Sequence, residues 1–395
     1  MSCEYYCLLL LYFEHMMMIT SLGLILITCI IIWRACDGFE MASNYLGRNM
    51  KEGIKGATIN AIGSSLPELF TTLFFLFILK DKDGFSGGIG TTAGSAVFNA
   101  MVIPAVVIMV VIGKKITTTV KLSKKVVLRD GIALLLSEIA LIFIITGTEL
   151  NWYHGLALMV LYFIYVAYML LSQGSGTVEN EYDSHAEGGN RVLALFKGDL
   201  ASVILGNGAI TTAKAIALLL LSVLFIGLAC FWLVSACEQF GNAIGMPIYF
   251  VSVVLASAAT SVPDTIISYK DALKENYDDA VANALGSNIF DVCFALGLPL
   301  FLFTLIYGPI HMQPETIENI GQLRILLLLL TAVVFVIFLL AYKNIKRIHA
   351  IILIVLYVLF VLYSILKGLG TDIGIVQVFS DFLSRMAQTL SGLFG

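Results

Sequence analysis

Three short blocks occur twice in this chain, in the same order, and each copy sits in or beside a long apolar run. Ala35–Phe39 (ACDGF) answers Ala236–Phe240 (ACEQF), and Gly63–Thr72 (GSSLPELFTT) answers Ala259–Ser268 (ATSVPDTIIS). Gly94–Asn99 (GSAVFN) answers Gly286–Asp291 (GSNIFD). The separations are 201, 196 and 192 residues, so the register holds and the first copy merely has longer connections. One match is coincidence; three in order are a duplication, which commits the chain to two like halves.

The runs around the blocks identify the solvent. Hydrophobic residues make up 59% of the 395 and charged residues only 13%, where a soluble domain carries about 25% charged. Lipid offers the backbone no hydrogen-bond partners, so a spanning segment is a helix or part of a closed barrel. The apolar runs are continuous rather than alternating, which excludes the barrel. Ten spans are expected, at 17–36, 55–79, 87–113, 126–147, 152–172, 211–238, 247–273, 279–307, 323–342 and 349–367. Five spans separate the copies, an odd number, so the second half is inserted upside down. The expected fold is an all-α integral membrane protein of two inverted five-helix repeats, 17–172 and 211–367, with helices 2, 3, 7 and 8 interrupted around a central ion site. Residues 1–16 read as a peripheral segment, 173–210 as a linker and 368–395 as an amphipathic tail for the bilayer surface. Of 23 basic residues, 18 lie on the face reached after odd-numbered spans. The positive-inside rule makes that face and the linker cytosolic, and both termini non-cytosolic.

The blocks carry chemistry that is costly in a bilayer. A proline inside a helix removes one donor and frees the carbonyl four residues earlier, so Pro67 releases Gly63 and Pro263 releases Ala259. Beside these lie the hydroxyl pairs Ser64-Ser65 and Thr260-Ser261, then Glu68 and Asp264. A carboxylate at the bilayer centre costs about 2.5–3.5 kcal/mol on insertion scales. The second blocks add Ser95 and Asn99, then Ser287, Asn288 and Asp291, with the four-residue spacing that puts each pair on one helix face. The inventory is all oxygen, which hard cations select, and calcium takes six to eight such ligands. Each element alone reads most simply as a kink or a packing contact; their duplicated conjunction reads as a cation site. Glu68, Asp264 and Asp291 together carry one charge more than calcium neutralises, so a proton or a further monovalent cation is needed.

Other features carry less. Asp37 and Glu238 are matched near helix ends and read as second-shell or entrance groups. Glu138 lies mid-helix without a repeat partner, as a proton-linked or structural acid. The linker Ser172–Arg191, rich in Gly, Ser and Glu, reads as a tether in preference to a regulatory cation site. The cysteine pairs 29/36 and 230/237 are each seven apart on one helix, too far for a disulfide.

At these residues the chain resembles the cation/calcium exchanger superfamily, whose repeats each carry a G-[ST]-S-x-P-[ED] helix followed by a G-S-x-x-x-[ND] helix. The resemblance covers nearly the whole transmembrane region. It implies secondary antiport of calcium against sodium, with Glu68 and Asp264 as the main calcium carboxylates and the Ser64 and Thr260 carbonyls as axial partners. Ser65, Ser95, Ser261 and Ser287, with the carbonyls of Ala61 and Ser257, are implied as flanking sodium ligands, and Asn99 and Asp291 as the middle of the site. The potassium-dependent sodium/calcium exchangers look closest, although Asn283 stands where that branch often has Ser and a large cytosolic loop is missing. Calcium/proton antiport on the same fold is the alternative. An intramembrane aspartyl protease needs a Tyr-Asp together with a Gly-x-Gly-Asp, and no Gly-x-Gly-Asp occurs in the sequence. No nucleotide-binding loop and no basic cluster for nucleic acid is present. The expectation is a monomeric ion transporter without cofactors, whose partners are calcium, sodium and lipid.

Overall fold

The computed structural model describes residues 3–48, 61–79, 84–145, 147–172, 194, 198–206, 208–312, 314–371 and 373–392. Nearly all are helical. Seven helices are long and apolar enough to cross a membrane: α1 (Cys3–Leu46), α3 (Gly84–Gly113), α5 (Trp152–Ser172), α6 (Thr212–Ile244), α8 (Tyr277–Tyr307), α9 (Pro314–Ala341) and α10 (Arg347–Gly368). The pair Ile248–Thr260 and Val262–Leu273, here α7a and α7b, is bent by 40° and forms an eighth candidate. Helices stand at the remaining two expected positions. One is α2, as α2a (Ala61–Ser64) and α2b (Leu66–Leu79); the other is α4 (Lys124–Ile144), which carries five charged residues. The linker acids and the start of the second span lie outside the described residues.

The burial pattern is that of a membrane protein turned polar side inward. Large apolar side chains such as Leu136, Ile164, Leu220, Leu340 and Val358 are exposed, whereas Glu68, Ser95, Asn99, Asp264 and Asp291 have no exposed surface.

Two expectations need correction. Residues 3–16 are not a separate peripheral segment, because Cys3–Leu46 is one helix; no glycine or proline precedes Gly23 to end or bend it. Helix α3 is not interrupted either, although Pro104 lies within it. Its partner α8 does change, through a π turn at Asp291–Ala295. Pro299 lies eight residues beyond Asp291 and leaves the carbonyl of Ala295, the last residue of that turn, without its helical donor. Pro104 is only five beyond Asn99, so the same defect falls in a different register. The helical tail, α11 (Gly374–Gly392), is also docked: Gln322 on α9 donates to Ser384 at 2.7 Å, and Lys367 on α10 to Ser380 at 2.6 Å. Ile375 and Val378 remain its exposed apolar face.

Helix α3 runs through the centre, against α2b, α7, α8, α9 and α10. Its approach to α7 is set by Gly90 and Gly94, a small-xxx-small pair. A Cβ on Gly90 would stand 2.7 Å from the Tyr249 carbonyl oxygen; one on Gly94 would overlap the Val253 carbonyl and stand 2.8 Å from Ser257. That contact falls on a second π turn, Ser252–Ala256. Gly286, the repeat partner of Gly94, has only the Tyr165 hydroxyl nearby, at 4.0 Å.

The two glycines therefore differ in what they tolerate. Gly94→Ala is expected to destabilise the protein by about 1–3 kcal/mol, the cost of overpacking against backbone, and Gly286→Ala by less than about 0.5 kcal/mol. Unfolding in detergent measures both; equal costs would contradict the close α3–α7 contact.

Candidate functional site

The two proline motifs end up at helix breaks. Ser65 interrupts α2 and Ser261 interrupts α7, with Ser261 at φ −79°, ψ 0°. Each proline then lies in the first turn of a new helix, where a missing N–H does no harm. Glu68 and Asp264 fall in those same first turns. A helix N-terminus carries unpaired N–H groups and a partial positive charge, which favours an anion. The break thus replaces part of the hydration each carboxylate loses.

Helices α3 and α8 bring the second motifs against the first, in like arrangement. Ser95 donates toward Glu68 Oε1 at 3.0 Å, and Ser287 toward Asp264 Oδ1 at 2.7 Å. Ser64 lies beside Asp264 and Thr260 beside Glu68, each facing the carboxylate of the other half. Asn99 donates to Asp264 Oδ2 at 3.3 Å and, across one turn, to Ser95 at 3.4 Å. Asn288 donates to the Ala96 carbonyl at 2.9 Å, tying α8 to α3.

Ser95 is where the halves meet. Its oxygen is 3.0 Å from Glu68, 3.1 Å from Asp291 Oδ2 and 2.8 Å from the Ser261 hydroxyl. A hydroxyl has one proton to donate, so it cannot satisfy two ionised carboxylates at once. The shortfall continues around it. Glu68 Oε2, Asp291 Oδ1, Asn99 Oδ1 and Asn288 Oδ1 are buried acceptors without a hydrogen-bond donor, and the Ser65 hydroxyl, beside Asp291, has no partner in good geometry. Among the described residues the ion pairs are Arg129–Asp130, Lys270–Asp37 and Lys270–Glu40; no basic side chain pairs with Glu68, Asp264 or Asp291. Three buried acids therefore gather around Ser95 and Asn99 without a counter-charge among the described residues.

Not every expected residue points the same way. The Ser257 hydroxyl turns to the Val253 carbonyl at 2.5 Å, and its own carbonyl accepts from Thr260 Oγ1 and the Ser261 amide, both at 3.1 Å. Ala61 opens α2a, and its side chain lies outside the described set. Asn288 and Lys270 gain importance that spacing did not reveal. The signal for Lys270 was a lone lysine late in an apolar span, two turns beyond Asp264. Glu138 is separate from the site, accepting from Thr331 at 2.7 Å. Cys29, Cys36, Cys230, Cys237 and Cys293 are free, in keeping with their spacing.

The chain resembles known proteins in both sequence and fold. The model of the family "Sodium/calcium exchanger protein" matches residues 20–171 and 214–366, once in each half. The chain therefore belongs to the sodium/calcium exchanger family of ion transporters. Sodium/potassium/calcium exchanger 3 of Homo sapiens is 36% identical over 150 residues, which are 35% of this chain and 22% of that protein. The chain thus matches about a fifth of the length of such relatives. An uncharacterized membrane protein of Methanocaldococcus jannaschii is 24% identical over 309 residues, 76% of this chain and 86% of that one. Among solved structures, the H+/Ca2+ exchanger CAX superposes with a TM-score of 0.65 at 13% identity, covering 94% of this chain and 87% of that one. The sodium-calcium exchanger NCX_Mj gives 0.54 at 20% identity, covering 87% and 97%. At these identities the likeness is one of fold.

If Ser95 is the shared contact, its loss should cost more than that of its repeat partner. Ser95→Ala is expected to lower stability by about 1–2 kcal/mol more than Ser287→Ala, since it removes the one hydroxyl proton that Glu68 and Asp291 share and the contact to Ser261 as well. Thermal unfolding in detergent at fixed salt reads the difference, and a larger cost for Ser287→Ala would refute it.

Proposed function

We propose that the chain is a secondary antiporter that exchanges calcium for sodium across a membrane by alternating access, on ten helices arranged as two inverted repeats. One observation carries this reading: three buried carboxylates, with unsatisfied oxygens around them, lack a basic partner among the described residues. Cations are the remaining source of positive charge, and calcium as substrate brings two charges to oxygen ligands it prefers. Glu68 and Asp264 are the proposed calcium carboxylates. The hydroxyls of Ser65, Ser95, Ser261 and Ser287, with the carbonyls of Ala61, Ser64, Ser257 and Thr260, are the proposed neutral ligands shared between calcium and sodium. Among the described residues no three acids, histidines or cysteines converge as a metal cluster, so in this reading most ligands are neutral oxygens.

Obligatory exchange then follows from electrostatics. Enclosing bare carboxylates away from water costs several kcal/mol each, so the loaded site crosses between its two openings and the empty one does not. The carrier returns only with a replacement cation. Glu68→Gln and Asp264→Asn are each expected to reduce calcium flux at least about a hundredfold, the scale of one lost charged contact of about 3 kcal/mol. Tracer calcium uptake into proteoliposomes under an imposed sodium gradient tests this; wild-type flux in either variant would sink the site.

Asp291 is the residue that breaks the symmetry, since its partner Asn99 has the same shape without charge. We assign its extra charge to potassium, in line with the sodium/potassium/calcium exchangers among the relatives. Asp291→Asn is expected to retain sodium-driven calcium flux and to lose its dependence on potassium. A second reading has its own support: Asp291 shares the Ser95 hydroxyl with Glu68, a contact that one proton would satisfy. In that case the antiporter is proton-coupled. Flux that follows a pH gradient, ignores potassium and survives without sodium would favour it.

A further inference from the structure

We propose that Lys270, with Asp37 and Glu40, forms an ionic latch that closes the site toward the face bearing the basic loops, and that the opposite face has no ionic counterpart among the described residues. This rests on the alternating-access reading above. Lys270 lies on α7b, beyond Asp264 toward the end of the helix, and its ammonium is 2.8 Å from Asp37 Oδ1 and 3.3 Å from Glu40 Oε2 on α1. The two acids are one helical turn apart, so one cation holds both and pins α1 to α7b. A small cavity lined by Cys36, Phe39, Glu40, Ser64 and Ile267 has Glu40 of the latch and Ser64 of the site on its wall. The Phe39 ring lies directly on the backbone of Gly63, where a Cβ would overlap it. Separating α1 from α7b therefore unblocks a route from Glu40 to Ser64, and it must break both ion pairs.

The duplication supplies the comparison. Lys270 lies seven residues after Pro263, and the residue seven after Pro67 is Phe74; Asp37 corresponds to Glu238. Phe74 packs edge-on against Phe231 on α6 at 5.9 Å. Glu238 is exposed, with no ion pair among the described residues. One gate is ionic and the other aromatic, so salt acts on one opening and not on the other.

Cys36, in the wall of that cavity, reports on the latched route, and its repeat partner Cys237 is the control. In a background lacking the other five cysteines, each is labelled from its own face with membrane-impermeant methanethiosulfonates, cationic and anionic in parallel so that the charge change at 270 is controlled. Lys270→Gln is expected to speed Cys36 labelling about three- to tenfold, the population shift that partly exposed ion pairs support. Lys270→Arg restores the slow rate. Raising ionic strength speeds labelling in wild type and has no effect in Lys270→Gln, whereas Cys237 labelling does not rise in either. If Lys270→Gln does not fold, the double variant Asp37→Asn/Glu40→Gln removes the same latch from the other side. Unchanged Cys36 labelling in a folded variant, or equal acceleration of Cys36 and Cys237, overturns the proposal. Labelling needs no ion gradient: absence of transport under every gradient would defeat the exchange reading, whereas salt-insensitive labelling in a transporting protein would defeat the latch alone.

Discussion

Glu68, Asp264 and Asp291 are fully buried, close together, and paired with no basic side chain among the described residues. Much of the surrounding architecture reads as a response to that charge. The helix breaks at Ser65 and Ser261 place Glu68 and Asp264 at helix N-termini, where N–H groups partly replace water. Gly90 and Gly94 let α3 approach α7 closely enough for the Ser95 and Ser261 hydroxyls to meet at 2.8 Å. These devices reduce the cost of the acids without cancelling it. What is left over is the binding energy available to a cation.

Duplication provides two like half-sites, and single substitutions make them unequal. The Ser95–Glu68 and Ser287–Asp264 contacts are equivalent, and the Ser64 and Thr260 approaches are reciprocal. Against that frame stand three differences. Asp291 stands where the other repeat has Asn99, adding one charge to one side of the site. A π turn follows Asp291 in α8, whereas α3 is continuous through Asn99. π turns recur at functional sites because they shift the register of a helix face. The third difference is Lys270 against Phe74.

Much of this was legible in the sequence because membrane physics leaves few choices. Apolar runs have to be helices, and a proline beside an acid in such a run has to be a break lined by protein. The repeat offsets then identified which residues correspond. Contact was harder to read. The role of Ser95 as a shared oxygen depends on how close α3 comes to α7, which two glycines decide and spacing does not express. The continuity of α3 and the π turn of α8 hinge on a three-residue difference in proline register. The tail was recognised as amphipathic, but its docking depends on Gln322 and Lys367, polar side chains at the ends of other helices. Lys270 finds its partners on α1, more than 200 residues away.

The central claim is that the three acids are held unneutralised by the protein and completed by cations. Unfolding of the purified protein in chelator and in calcium tests it most directly, comparing wild type with the double variant Glu68→Gln/Asp264→Asn. In chelator the double variant should melt above wild type, because two buried charges are gone. Saturating calcium should raise the wild-type midpoint, by about 2.7 kcal/mol of stability at a hundred times Kd, and leave the variant unmoved. A double variant that melts below wild type in chelator, yet is stabilised by calcium to the same extent, would contradict the claim.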